Sequence, residues 1–238
     1  MNGHTSGQPP FPRAWWAFDL GRYRACDGTY CRFEYSSLPP IPAVSESLDW
    51  LEPLDERTDA MMAIHRNPPE ARGEVEKIAE SAARLGLTLP ESFIRLMSST
   101  ELQDQIPSCT ACYFTLSDDI VPCPGSDGGH IVRFYCDQQA VFLWYLYLTP
   151  QGAQYVLVTP IELEEMAAKS LSDEERRSIQ QNTWVCAPSF VAFIYRWWLE
   201  NSIWFKVSEA DDEDRLTADE RAYLAHYDAT NANGGASQ

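Results

Sequence analysis

The sequence predicts an α+β fold, with a curved, mostly antiparallel sheet laid down as a meander and backed by helices. Three observations lead there. Ile131 to Tyr135, Val141 to Leu148 and Tyr155 to Thr159 are rich in β-branched and aromatic residues. The links between them, Asp137-Gln138-Gln139 and Pro150-Gln151-Gly152, are far too short for a parallel crossover. Helix-periodic segments lie before and after this block, and eight Trp, eleven Tyr and ten Phe in 238 residues supply ample core material.

Taken in order, residues 1–70 read as an N-terminal extension that packs onto the core. Its aromatic patches (Phe11, Trp15, Trp16, Phe18, Tyr23, Tyr30, Phe33, Tyr35) are punctuated by prolines at 39, 40, 42, 53, 68 and 69. The main α+β domain spans 71–228. Val75, Ile78, Ala79, Ala82 and Leu85 share one helical face, and Gly86 suits the left-handed residue that ends a helix. A second helix opens near Pro90, with Thr88 and Glu91 at capping-box spacing and Phe93, Leu96 and Met97 on its apolar face. The middle strand is apolar at nearly every position, which places it centrally with both faces covered.

Ile161 to Lys169 and Ser172 to Gln181 read as short helices, the latter with Ser172 and Glu175 at capping-box spacing. Ser189 is a good N-cap for a helix carrying Phe190, Phe193, Ile194, Trp197 and Trp198, the expected anchor of the core. After an acidic loop at 209–214, Thr217 and Glu220 repeat the capping-box spacing and open a helix to about Tyr227. The tail, 229–238, has the composition of a disordered end.

Eighteen Lys and Arg against thirty-five Asp and Glu give a net charge of −17, which repels nucleic-acid phosphates and anionic membranes and attracts a basic protein partner. Excess carboxylate also serves solubility alone. The longest apolar run, Ala140 to Leu148, falls well short of the roughly 20 residues of a membrane-crossing helix. Met1 to Pro12 lacks the basic start and apolar stretch of a secretory signal, so the expected compartment is the cytoplasm. A reducing cytoplasm disfavours disulfides, and the seven cysteines are expected to be mostly buried thiols.

Candidate chemistry is sparse. Cys109-Thr110-Ala111-Cys112 has the spacing of two zinc thiolates, with Cys123, Cys136 or His130 able to complete a tetrahedron, but no second matching pair follows. It also lacks the helix N-terminus of a redox motif. Gly125-Ser126-Asp127-Gly128-Gly129 lacks the Lys-Ser or Lys-Thr of a phosphate loop and reads as a turn. His4, His65, His130 and His226 are scattered, with no Gly-x-Ser-x-Gly elbow beside them. Neither catalytic residues, a cofactor nor a metal is assigned. The candidate partner-binding residues are Asp118, Asp119, Asp127 and Asp137, whose alternative roles are loop solvation and turn capping.

A helix running through Ala79 and Glu80 into Leu85-Gly86, with Leu89-Pro90 opening the next, resembles the entry signature of the SUKH superfamily. Arg133-Phe134-Tyr135, Asp137-Gln138-Gln139, Trp144-Tyr145-Leu146, Pro188-Ser189-Phe190 and the stretch from Phe193 through Asn201 are similar to bacterial members, so that about 72–227 is covered. The long aromatic extension and the CxxC depart from the pattern. The resemblance implies an α+β sheet backed by helices and a non-enzymatic binding role. Bacterial members neutralise toxins, many of them nucleases, and a fungal relative regulates cell-wall synthesis. An immunity protein, a regulatory or scaffold adaptor and an enzyme built from converging loop residues stay open as readings, and oligomeric state is not assigned.

Overall fold

A computed structural model of the chain describes residues 9–62, 72–209 and 212–234. The expected α+β architecture is present. In order the elements are β1 (Ala14–Ala17), β2 (Cys31–Glu34), α1 (Glu56–Met62), α2 (Arg72–Arg84), α3 (Glu91–Met97) and α4 (Thr100–Asp104). Then come β3 (Tyr113–Phe114), β4 (Val121–Pro122), β5 (His130–Cys136), β6 (Leu143–Leu148), β7 (Gln154–Thr159), α5 (Leu163–Ala167) and α6 (Asp173–Gln181). The chain closes with β8 (Trp184–Ala187), α7 (Phe190–Trp204), a π-helical turn (Phe205–Glu209) and α8 (Ala218–Gly234).

The main sheet is antiparallel throughout, in the order β3-β5-β6-β7-β8, with β4 sharing the outer side of β5. All six residues of β6 are buried. The two-residue period of a strand divides them. Trp144, Leu146 and Leu148 join the core under α7 and α3, while Leu143, Tyr145 and Tyr147 pack with Leu163 of α5 and Ile179 of α6. Register slips between Arg133 and Tyr135, and Phe134 and Tyr135 both enter the α7 side. There Trp197 of α7 lies 5.6 Å from Tyr135 and 5.2 Å from Trp144 by ring centroid, and its indole N–H donates to the Tyr135 hydroxyl at 2.9 Å.

The capping boxes at Ser172 and Thr217 form, and Ser189 caps α7 by accepting from the Ala192 N–H. Thr88 does not cap α3. Pro90 is the N-cap residue, and the first-turn Ser92 N–H donates instead to Glu46 of the N-terminal segment at 3.2 Å. Gly86 adopts φ 67° after α2, as its position at the helix end requires. The middle strand starts at Leu143 rather than Val141, because the turn from Asp137 closes with its N–H on the Phe142 carbonyl. α8 continues through Gly234, so the first part of the expected disordered tail is helical. Residues 235–238 lie outside the described residues, as do His4, His65, Pro68 and Pro69.

Residues 9–62 enter the core. β1 pairs with β2, and Pro12 accepts from the Val185 N–H at 2.8 Å, which docks the extension beside β8. The expectation of free thiols fails at one pair, since Cys26 and Cys31 form a disulfide across a Cα separation of 5.6 Å. The hairpin return between β1 and β2 brings the two together. The other five cysteines are free.

A buried ionic knot ties this extension to the helices. Glu200 of α7 is fully buried and accepts from both terminal nitrogens of Arg24, at 2.6 and 2.7 Å. Trp15 Nε1 donates to the same carboxylate at 2.8 Å, and the Tyr223 hydroxyl of α8 donates to it at 2.5 Å. Arg196 in turn donates to Tyr223 at 2.7 Å and to the Pro39 carbonyl at 2.9 Å. Arg24 lies 4.3 Å from the Phe33 ring centroid. Burial pushes the Glu200 carboxyl up, but Arg24, Arg196 and Tyr223 outweigh it and hold the group below its ordinary value.

Two predictions come from this knot. Arg24→Met is expected to lower the unfolding free energy by about 3–5 kcal/mol, because Glu200 stays buried without its partner. Arg24→Met with Glu200→Leu should recover most of that loss in urea denaturation, and a double variant no more stable than the single would contradict the ion-pair account. Because Glu200 is held below its unfolded value of about 4.3, its contribution is complete above that pH and is lost as pH falls through the folded value. Glu200→Gln should therefore flatten the acid limb of a stability–pH profile while lowering stability at neutral pH.

Candidate functional site

The outer side of β5 carries an irregular edge rather than one full strand. β3 and β4 each pair with it over two residues, and the chain between them bulges out at Ser117, Asp118 and Asp119. The Ser117 hydroxyl holds the bulge by accepting from the Arg133 N–H at 3.0 Å and donating to the Asp119 carbonyl at 3.3 Å. α5 lies across from this edge and brings Glu162, Glu164 and Glu165. Between them runs a groove of about 320 Å³ lined by these carboxylates, Asp118, Asp119 and the single cation Arg133.

The side chains on this groove are not equally available. Glu164 accepts from the Tyr145 hydroxyl at 2.5 Å and stands 3.5 Å from Arg133 Nε, an ion-pair distance without hydrogen-bond alignment. Burial followed by the Glu164 charge pushes the Tyr145 phenol up, so it stays a neutral donor. Asp119 accepts from the Ser81 hydroxyl and from the Ile120 N–H, and Arg84 lies 3.7 Å away. The Ser81 hydrogen bond, above all, holds its carboxyl below the ordinary value. Asp119 therefore fastens α2 to the sheet edge as well as lining the groove. Asp118, Glu162 and Glu165 are exposed at its rim, and Glu165 has a loose 3.9 Å contact with Lys169.

The four carboxylates expected from sequence do not converge. Asp118 and Asp119 share the groove. Asp127 is exposed in the turn between β4 and β5 and does not line it. Asp137 is only 3% exposed, lies apart from the groove and has a structural role. Its carboxylate accepts from the Gln139 N–H at 2.8 Å, the Val141 N–H at 3.3 Å and the Tyr30 hydroxyl at 2.7 Å, capping the β5–β6 turn and pinning the N-terminal extension to it. Sequence reasoning missed Glu162, Glu164 and Glu165, whose only signal was a run of acids opening a short helix directly after a strand.

The other motifs have structural roles. Cys112 is buried among Thr110, Tyr30 and Ser108, and burial leads the causes that push its thiol up to about 12. Burial and Cys112 raise Cys109 as well. Among the described residues no three His, Cys, Asp or Glu side chains are grouped to hold a metal ion. The glycine-rich stretch is the expected turn, and Gly129 is obligatory there because a Cβ would fall 2.1 Å from the Tyr147 ring. Among the described residues no helix is long and apolar enough to cross a membrane. No family model matches the chain, and no curated protein or solved structure is significantly similar to it.

The raised thiol carries a prediction. With its thiol near 12, Cys112 holds a thiolate fraction on the order of a thousandfold below that of a free cysteine at pH 8. Iodoacetamide labelling followed by peptide mass spectrometry should find Cys112 protected in the folded protein and modified promptly in denaturant. Fast labelling in the folded state would contradict its placement in the core.

Proposed function

We propose that the chain is a non-enzymatic binding protein of the SUKH kind that neutralises a basic toxin domain, a nuclease domain above all, by docking it against the acidic groove between the β5 edge and α5. The observation that carries the reading is the groove itself. Five carboxylates surround one arginine that is already engaged with Glu164, within a chain of net charge −17. A nuclease domain presents the opposite pattern, since its cations must face phosphate. An acidic partner seated on those cations would be steered to them at long range and would occupy the surface needed by the substrate. The helix-Leu-Gly-x-x-Leu-Pro-helix signature lies in α2 and α3, with Asp119 fastened to α2 through Ser81. The cytoplasm is the compartment proposed for this encounter; the five free thiols fit it, whereas the Cys26–Cys31 disulfide is of a kind that a reducing compartment disfavours.

The test is capture of partners at low salt, with identification of what releases at high salt. Recovery of a basic toxin-like domain whose activity the chain blocks supports the reading, whereas recovery of housekeeping complexes alone favours an adaptor. Asp118→Asn with Glu165→Gln, both at exposed positions, should slow association with that domain by about tenfold or less and reduce its salt dependence while leaving dissociation nearly unchanged. Stopped-flow rates at several ionic strengths measure this. An unchanged salt slope would remove the groove from the interface.

A further inference from the structure

A second recess lies away from the groove, where residues 50–58 pass over α7, the π-helical turn and the start of α8. It encloses about 780 Å³, within the span of roughly 300–1,000 Å³ usual for ligand pockets. One end is aromatic. Trp50, fixed by its indole N–H on the Ser45 carbonyl at 3.1 Å, lies 5.1 Å from the Tyr195 ring centroid and 5.7 Å from that of Trp198. The other end is ionic and internally balanced. Lys206 donates to both oxygens of Glu220 at 2.7 and 2.8 Å, and Arg215 donates to Asp55.

What this balance leaves over decides the sign of a ligand. Glu52 and Asp219 also line the recess, both exposed, and neither enters an ion pair among the described residues. Asp219 lines the same recess as Trp50, Tyr195 and Trp198. The recess therefore offers ring faces and unspent carboxylates together, with Leu199 buried behind them.

The same chain shows elsewhere what fits that combination. Arg24 packs on the Phe33 ring at 4.3 Å while bonding Glu200, and Arg22 packs on the Tyr23 ring at 4.7 Å while bonding Glu213 at 2.9 Å. In each case a flat guanidinium lies against an aromatic ring and its edge donors reach a carboxylate. Among the described residues no arginine or lysine of the chain stands over Trp50, Tyr195 or Trp198. The recess has both halves of the arrangement and lacks the cation.

We propose that the recess between Trp50, Trp198 and Asp219 binds a guanidinium group, the arginine side chain of a basic protein segment, stacked on one tryptophan face and paired with the rim carboxylates. An ammonium is a poorer fit, because it is a strongly hydrated point charge without a plane to stack. The volume exceeds one side chain and has room for the peptide on either side of the arginine. This deepens the reading of the chain as a binder of basic proteins by naming the chemistry that one recess takes, but the site itself does not depend on the groove.

The test uses the full-length protein and small probes, so that its failure is separate from failure of the toxin-neutralising reading. N-acetyl-arginine amide is titrated while the indole N–H signals of Trp50 and Trp198 are followed by NMR, each assigned from its Trp→Phe variant. The controls are N-acetyl-citrulline amide, of the same shape without charge, and N-acetyl-lysine amide. Saturable shifts of those two signals, with the arginine probe binding about tenfold more tightly than either control, are expected. Asp219→Asn and Trp198→Ala should each weaken binding by about fivefold or more, whereas Glu174→Gln, at an exposed position of α6 outside both recesses, should leave it unchanged. Asp219 is exposed, so its variant keeps the test valid even if Trp198→Ala does not fold. Capped arginine binding at least as well as free arginine supports a peptide side chain as the source, and clear preference for free arginine transfers the site to a small guanidine. Absent shifts, equal binding of the citrulline probe, or indifference to Asp219→Asn would overturn the proposal.

Discussion

The buried pair of Arg24 and Glu200 is the constraint on which the rest of the structure depends. A carboxylate at zero exposure in the middle of α7 is untenable alone, since desolvating an isolated ion costs several kcal/mol even after relaxation. Its partners come from outside α7, from the hairpin loop through Arg24, from β1 through Trp15 and from α8 through Tyr223. The core helix can therefore be polar at Glu200 only if the extension and the last helix are both in place. Cation, indole and phenol converge on one carboxylate, so the geometry of three chain segments is fixed relative to one another in a way that apolar packing alone does not enforce.

The sheet imposes the second constraint. With β6 buried on both faces and helices on each, the broad surfaces of the sheet are unavailable to a ligand. Polar recesses are left where the layers end. One is the irregular edge of β5, where Ser117 replaces a backbone hydrogen bond of a regular ladder and lets Asp118 and Asp119 swing outward. Another is the seam where the N-terminal segment crosses the end of α7 and the helix loosens into a π turn, which places Lys206 against Glu220. Both recesses arise where regular structure is interrupted, and both are acidic because the chain has nearly two carboxylates for every cation.

What could be read from the sequence follows the range of the interactions concerned. Caps at Ser172, Ser189 and Thr217 are contacts within three residues, and the burial of β6 on both faces was written in its unbroken apolar run. The Thr88 expectation failed because the competing donor and acceptor, Ser92 and Glu46, are 46 positions apart, with α1 and α2 between them. Asp137 looked like any acidic turn residue, and only the hydroxyl of Tyr30, more than a hundred positions away, reveals it as a buried anchor. β8 has four residues and no alternating pattern, and its strand identity comes from β7 and from the docking of Pro12. The groove was half legible for the same reason. Its β-edge acids stand out as a pair, whereas the α5 acids resemble any solvated first turn until the fold sets them opposite.

In the function proposed, the two recesses divide the physical tasks of recognition between them. The exposed rim of the groove contributes charge that acts over a Debye length of about 8 Å at physiological salt, so it governs how often a basic partner arrives rather than how long it stays. The recess at Trp50 and Trp198 acts only at contact, through ring faces and carboxylates partly withdrawn from water, and such contacts set dissociation. A field from −17 charges attracts any cationic surface with little discrimination. Selectivity therefore has to come from a site that distinguishes a planar, stackable cation from an ordinary positive charge, and of the two recesses only the aromatic one has the chemistry to do so.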